Sequence, residues 1–274
     1  MKKSIFIIAA VAFIVFNIIS PGFSDEATAQ AQFSGITKDI PYSWWDGGWD
    51  KLKELQGFIS SNPDSTAFCA KAQYYIGCYY YSTQQYQKAI EAYGTVLKAY
   101  PSIASECGDA QFEIAQITLN CLNRPKEAII EYQKVISNYP NSWSAPIAQL
   151  AIARIYIKQQ DKAHAKSELQ KVIDNYPLAK KQRAEASMDL GDMSASEGAN
   201  KEALSYYKKA YLAWPPEDSS GIVQVMEKIY EGFRNLDNSV ARANQFVKYQ
   251  KYGPAGEDGV PGTSDDLTDP LAKF

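Results

Sequence analysis

The chain has 274 residues, 46% of them hydrophobic, with 19 Tyr, 5 Trp and a formal net charge of −3. Such a composition supports a folded body rather than a disordered chain. The lack of a basic surplus speaks against nucleic acid as a ligand.

Met1-Lys2-Lys3, an uncharged apolar run from Ile5 to Ile19 and the helix-breaking Ser20-Pro21-Gly22 read as a secretory signal peptide. Cleavage is expected after Ala27-Thr28-Ala29, with Ser24 as the alternative, so residues 1–29 are assigned to the leader. The apolar run is shorter than the roughly 18–20 residues a spanning helix requires. Membrane attachment is therefore expected only through an uncleaved signal helix. No cysteine lies near the end of the run to carry a lipid. The expected location is periplasmic or secreted.

Residues 30–48 form a Trp-rich segment in which Trp44 and Trp45, with Trp49 just beyond, surround Asp46-Gly47-Gly48. These indoles are expected to fold over the end of the body as an apolar cap. Stacking on a sugar, as in a carbohydrate or peptidoglycan binder, is the alternative.

From residue 49 to 252 the pattern repeats. Small residues recur 38 apart at Gly77, Ala115, Ala153 and Gly191, and Pro63, Pro101, Pro140, Pro177 and Pro215 run beside them. A long regular period marks a repeat architecture in which each unit covers its neighbours' apolar faces. Each unit contains two helical patterns. In the first, helix A is predicted over 65–81, with Gln73, Ile76, Gly77 and Tyr80, and helix B over 85–99, with Ala89, Tyr93 and Val96. The proline that follows lacks an N–H and ends helix B. Gly77 and Ala89, Ala153 and Ala165, and Gly191 and Ala203 are each 12 apart, while Ala115 and Ala128 are 13 apart, placing one extra residue in the second turn. A half unit before Pro63 and a weaker pair at 219–235 and 238–250 complete an all-α solenoid of about five helix-turn-helix repeats and about eleven helices.

The residues Gly77, Tyr80, Ala89, Tyr93 and Pro101 of the first unit, with their equivalents in the next three, resemble the tetratricopeptide repeat. The early aromatic of that pattern is replaced by Gln73, Gln111 and Gln149. The period exceeds the usual ~34 residues, and junctions such as Tyr139-Pro140-Asn141-Ser142 look like periplasmic members of the family, of the Tol–Pal coordinator and outer-membrane assembly type. The resemblance implies a non-catalytic scaffold that holds a protein or peptide partner in a concave groove lined by the A helices. Transferred by register, that groove comprises Tyr74, Cys78 and Tyr81, then Phe112, Gln116 and Leu119, then Leu150, Arg154 and Ile157, and finally Met188 and Asp192. A tightly curled array would instead bury several of these as core. A structural subunit of an envelope complex is a related reading.

Four cysteines fall in the first two units. Their even number in an exported chain suggests disulfides. Cys69 and Cys107 are 38 apart and are the first expected pair, with Cys78 and Cys121 as a companion; buried reduced thiols are the alternative. No cofactor is expected. His164, the single histidine, sits between lysines on a solvated face. Glu185, Asp189 and Asp192 share one helix face, either as solvated acids or as a clamp for a basic segment or cation. The acidic, Gly- and Pro-rich tail 253–274 is expected to be flexible. Asp258, Asp265 and Asp266 there make a weak calcium candidate without the EF-hand order.

Overall fold

The computed structural model describes residues 26–40, 50–237, 244 and 247–248. The Ile5–Ile19 run, Trp44, Trp45, Trp49, most of the expected helix 238–250, and Asp258, Asp265 and Asp266 lie outside the described residues. Among the described residues, eleven helices form and no strand. They divide into two compact units that meet in sequence at Ser142–Trp143.

The first unit contains α1 (Glu26–Thr37), α2 (Leu52–Ser61), α3 (Thr66–Ser82), α4 (Tyr86–Ala99), α5 (Ala104–Asn120) and α6 (Pro125–Asn138). Each helix packs on the next, and α3 also touches α5, so successive A helices are neighbours. The second unit contains α7 (Ser144–Lys158), α8 (Lys162–Asn175), α9 (Lys180–Ser196), α10 (Asn200–Ala213) and α11 (Ser219–Asp237), with the same sequential packing and a contact between α7 and α9.

The two helix types are buried differently because their surroundings differ. Helix A of the third repeat, α7, buries Ala145, Ala148, Gln149, Leu150, Ile152, Ala153 and Ile155, residues spread over most of its circumference. Its partner α8 buries only Ala165, Leu169 and Val172, a single stripe at spacings of four and three. An A helix has protein on several sides, whereas a B helix lies on one.

Gly77 sits over the ring of Tyr93, and a methyl group there would come within 2.5 Å of it. Gly191 stands in the same relation to Tyr207. The third repeat carries Leu169 where these units have tyrosine, and there Ala153 is accommodated. In the second repeat Tyr132 is likewise buried with Ala115, its ring centroid 5.7 Å from Phe112 and its hydroxyl on Gln116.

The turns repeat as well. Gln84, Asn123, Gln160 and Gly198 each adopt positive φ, at 59°, 53°, 60° and 77°, to reverse the chain between A and B. A backbone hydrogen bond then spans five residues in three turns, as in Gln85 N to Tyr80 O, but six in the second, Arg124 N to Thr118 O. The additional residue is thus absorbed in the turn. At four B-to-A junctions the N–H three residues after the capping residue closes on its carbonyl, as Ser65 to Asn62, Ile103 to Tyr100, Ser142 to Tyr139 and Ala179 to Tyr176.

One helix was not anticipated. The sequence pattern assigns residues 1–29 to a leader and predicts no helix over 30–48, yet α1 begins at Glu26 and packs on α2 and α3. Its pattern is weak because only Ala29 and Phe33 are buried, too few for a recognisable apolar stripe.

Candidate partner-binding surface

The residues expected to line a groove separate by register. Three positions before the small residue stand Tyr74, Phe112, Leu150 and Met188. Phe112, Leu150 and Met188 are only 6%, 3% and 8% exposed, so they belong to the core rather than to an accessible surface. Phe112 packs on Tyr132 of its own B helix with ring centroids 5.7 Å apart, and Leu150 and Met188 belong to apolar clusters shared by α7–α9 and α9–α11. Tyr74 is half-buried, with ring centroids 5.3 Å from Tyr93 and 6.2 Å from Tyr75.

One position after the small residue stand Cys78, Gln116, Arg154 and Asp192. In the first unit Cys78 is fully buried and accepts a 3.4 Å hydrogen bond from the Tyr93 hydroxyl. Gln116 is partly exposed, and its carbonyl oxygen accepts from Tyr132 Oη at 3.0 Å and Asn120 Nδ2 at 2.8 Å. Tyr81 is half-buried beside Tyr86, as is Leu119.

In the second unit Arg154 is exposed, and Ile157 is half-buried on the same helix. Arg154 Nη2 lies 3.0 Å from Glu185 and its Nε 3.0 Å from Asp189, tying α7 to α9. Asp192 accepts from Tyr207 Oη at 2.7 Å and pairs with Lys228 of α11 at 3.0 Å. The three acids on α9 are therefore not an open anionic clamp: a cation from each flanking A helix already engages them. Burial pushes the Asp189 carboxyl up, the Arg154 charge pulls it back, and Asp192 and Glu185 add to the rise. Burial likewise opposes the charge of Arg154, but Asp189 and Glu185 outweigh it and hold the guanidinium above its usual value.

Two arrangements were not foreseen. Glu113 lies beneath the tyrosines of the first unit, accepting from Tyr74 Oη at 3.4 Å. Burial drives its carboxyl up to about 7, the Tyr74 hydrogen bond offsets part of this, and Asp109 adds to it. The glutamines that replace the family aromatic form a cross-helix device instead. Gln73 Nε2 donates to Ala92 O at 3.1 Å, Gln111 Nε2 to Glu131 at 2.8 Å, and Gln149 Nε2 to Glu168. The 38-residue spacing of the glutamines and the acid at the matching B position in two repeats were the available signal. Where Ala92 replaces that acid, a cleft of about 470 Å³ opens between α2 and α4, lined by residues including Gln56, Ile59, Gln73, Tyr80, Lys88 and Thr95.

The structure places the cysteines in the arrangement of the alternative reading, without bridges. All four cysteines are free thiols. Cys69 Sγ donates to Asn62 O at 3.0 Å and Cys107 Sγ to Tyr100 O at 3.3 Å, each to the carbonyl seven residues back at the end of the preceding helix. Matching sites do matching work within each repeat. Burial raises Cys69, Cys78 and Cys107 above the ordinary thiol value. Cys121 is half-buried.

His164 is exposed, with Nδ1 2.7 Å from Asp161 Oδ2 and its ring stacked 5.0 Å from Tyr156. Asp161 also caps α8 by accepting from His164 N. Among the described residues no group of three or more His, Cys, Asp or Glu side chains is placed to hold a metal ion. No described helix is long and apolar enough to cross a membrane.

Paired helices with a small residue at each A–B contact, a positive-φ turn and a closed junction after each B helix define a helical-hairpin repeat protein of solenoid type. Tetratricopeptide-repeat family patterns match residues 70–103, 109–142 and 150–218. The chain is a tetratricopeptide-repeat protein. Similar solved structures include BtubC from P. vanneervenii (12% identity, 88% of this chain and 97% of that one, TM-score 0.51). The C-terminal part of a TPR repeat-containing protein from Cytophaga hutchinsonii is also similar (19% identity, 86% and 87%, TM-score 0.51). PilW, a type IV pilus biogenesis factor, is similar at 16% identity over 84% of this chain and 96% of that one, with a TM-score of 0.49. These likenesses concern the fold. A comparison with curated proteins gave no match. The repeats make the chain a protein–protein interaction scaffold, a fold that is typically non-catalytic.

Proposed function

We propose that this scaffold works in the bacterial cell envelope, holding an extended or helical segment of a partner on the A-helix faces of the second unit that carry Arg154 and Asp192. The observation that carries this reading is the fixing of those polar groups before any partner arrives. The Tyr207 hydroxyl holds Asp192, and Glu185 and Asp189 hold Arg154. Side chains already held lose less conformational freedom on binding, so more of the contact energy appears as affinity. Alternating charges on the second unit favour a partner that itself carries both signs over a purely basic one. Envelope location rests on the basic, apolar start of the sequence.

The test places a photo-crosslinking residue at Arg154 and, as a control, at the exposed Thr95 on a B helix. Captured proteins from native envelopes are then compared. A partner enriched at 154 and absent at 95 supports the reading. Equal capture at both positions, or capture at 95 alone, refutes it.

A further inference from the structure

We propose that the leader is removed by hydrolysis of the Ser24–Asp25 peptide bond, so that the mature chain starts at Asp25 and keeps α1 whole. The inference rests on reading the first residues as a signal peptide. By sequence, two junctions offer small residues at the first and third positions before the cut: Gly22-Phe23-Ser24 and Ala27-Thr28-Ala29. The A-x-A form of the second makes it the first choice by sequence, but it lies inside what the fold uses as structure.

Helix α1 starts at Glu26, and Ala29 is completely buried. One turn on, the Phe33 ring centroid lies 5.6 Å from Phe58, 5.6 Å from Phe68 and 6.0 Å from Tyr75, where α1, α2 and α3 meet. Gln32 Oε1 accepts from Asn62 Nδ2 at 3.1 Å, fixing α1 to the end of α2. A cut after Ala29 removes the first turn and a fully buried core residue. It leaves Gln30–Thr37, too short a helix to be stable by itself, with Phe33 in a frayed first turn. A cut after Ser24 leaves Glu26 at the helix start, where an acidic group complements the exposed N–H groups of the first turn.

Processing acts on the unfolded chain, so burial of Ala29 does not shield that bond. The fold bears on the choice through the product: only the longer product completes the first unit's core. In the reaction one water adds across the peptide bond, leaving a carboxylate on Ser24 and an amino group on Asp25.

The full-length chain, expressed in a two-membrane bacterium and recovered from the envelope fraction, is read by N-terminal sequencing. Asp-Glu-Ala-Thr-Ala as the first residues is the expected result. A start at Gln30 overturns the inference but keeps the leader, whereas an intact Met1 overturns both. The melting temperatures of chains starting at Asp25 and at Gln30 supply a second readout. The Asp25 chain is expected to melt several degrees higher, and equal values overturn the structural argument even if sequencing finds Asp25.

Discussion

Replacing Gly77 by alanine tests whether the repeat is built around close approach of helix A to a helix B tyrosine. The new methyl would lie 2.5 Å from Tyr93 Cε1, 2.6 Å from Cδ1 and 2.8 Å from Cζ. Real carbon–carbon contacts sit nearer 3.5–4.0 Å, so the ring or the helix must move by about 1 Å. The ring has nowhere to go: Tyr93 is fully buried and its hydroxyl is held on Cys78. Overpacking of this kind costs about 1–3 kcal/mol, against a helix-propensity gain for Gly→Ala of up to about 1 kcal/mol. The net expectation is a loss of about 1–2 kcal/mol, measured by urea denaturation with an unchanged m-value. The third repeat suggests the remedy, since Ala153 already faces Leu169 there. Gly77→Ala combined with Tyr93→Leu should therefore show a favourable coupling of at least about 1 kcal/mol in a double-mutant cycle. A neutral or stabilising single substitution, or purely additive effects, would refute the reasoning.

Three further outcomes follow from the buried groups. Glu113 titrates near 7 in the folded chain against an ordinary value of 4.5, so its contribution to stability is fully present below pH 4.5 and lost as pH rises through about 7. That gap corresponds to about 3 kcal/mol, and Glu113→Gln should remove that decline from the stability–pH profile; a parallel profile in the variant would show that Glu113 is not the source. Intact mass under denaturing conditions should be unchanged by reductant, since all four thiols are free; a gain of protons on reduction would restore a bridge. Leu150→Ala should cost about 3 kcal/mol by opening a core cavity, whereas Arg154→Ala, which breaks pairs at an exposed guanidinium, should cost no more than about 1 kcal/mol. Thermal or urea unfolding distinguishes the two, and equal losses would contradict the assignment of Leu150 to the core and Arg154 to the surface.

The period alone determined the fold because each of its marks has a local cause. Gly77 and Gly191 recur because a tyrosine ring leaves no room for a side chain, and the prolines because each B helix must stop. The extra residue in the second turn was legible as a spacing of 13 instead of 12, and it reappears as a longer hydrogen-bonded span. What a spacing cannot carry is the direction a side chain takes once neighbouring helices arrive. Phe112, Leu150 and Met188 share a register with Tyr74, and only packing against neighbouring helices decides that they are core. The same holds for the acids of α9, whose meaning changed once Arg154 and Lys228, 31 and 36 residues from Glu185 and Asp192, came into contact with them. Cys69 and Cys107 are equivalent in sequence, which suggested a bridge; in space, equivalence keeps them one repeat apart, each on its own carbonyl. Sequence determined the repeat, its turns and its stops, which are short-range properties. Tertiary structure decided burial, pairing and charge balance, because those depend on residues brought together from different repeats.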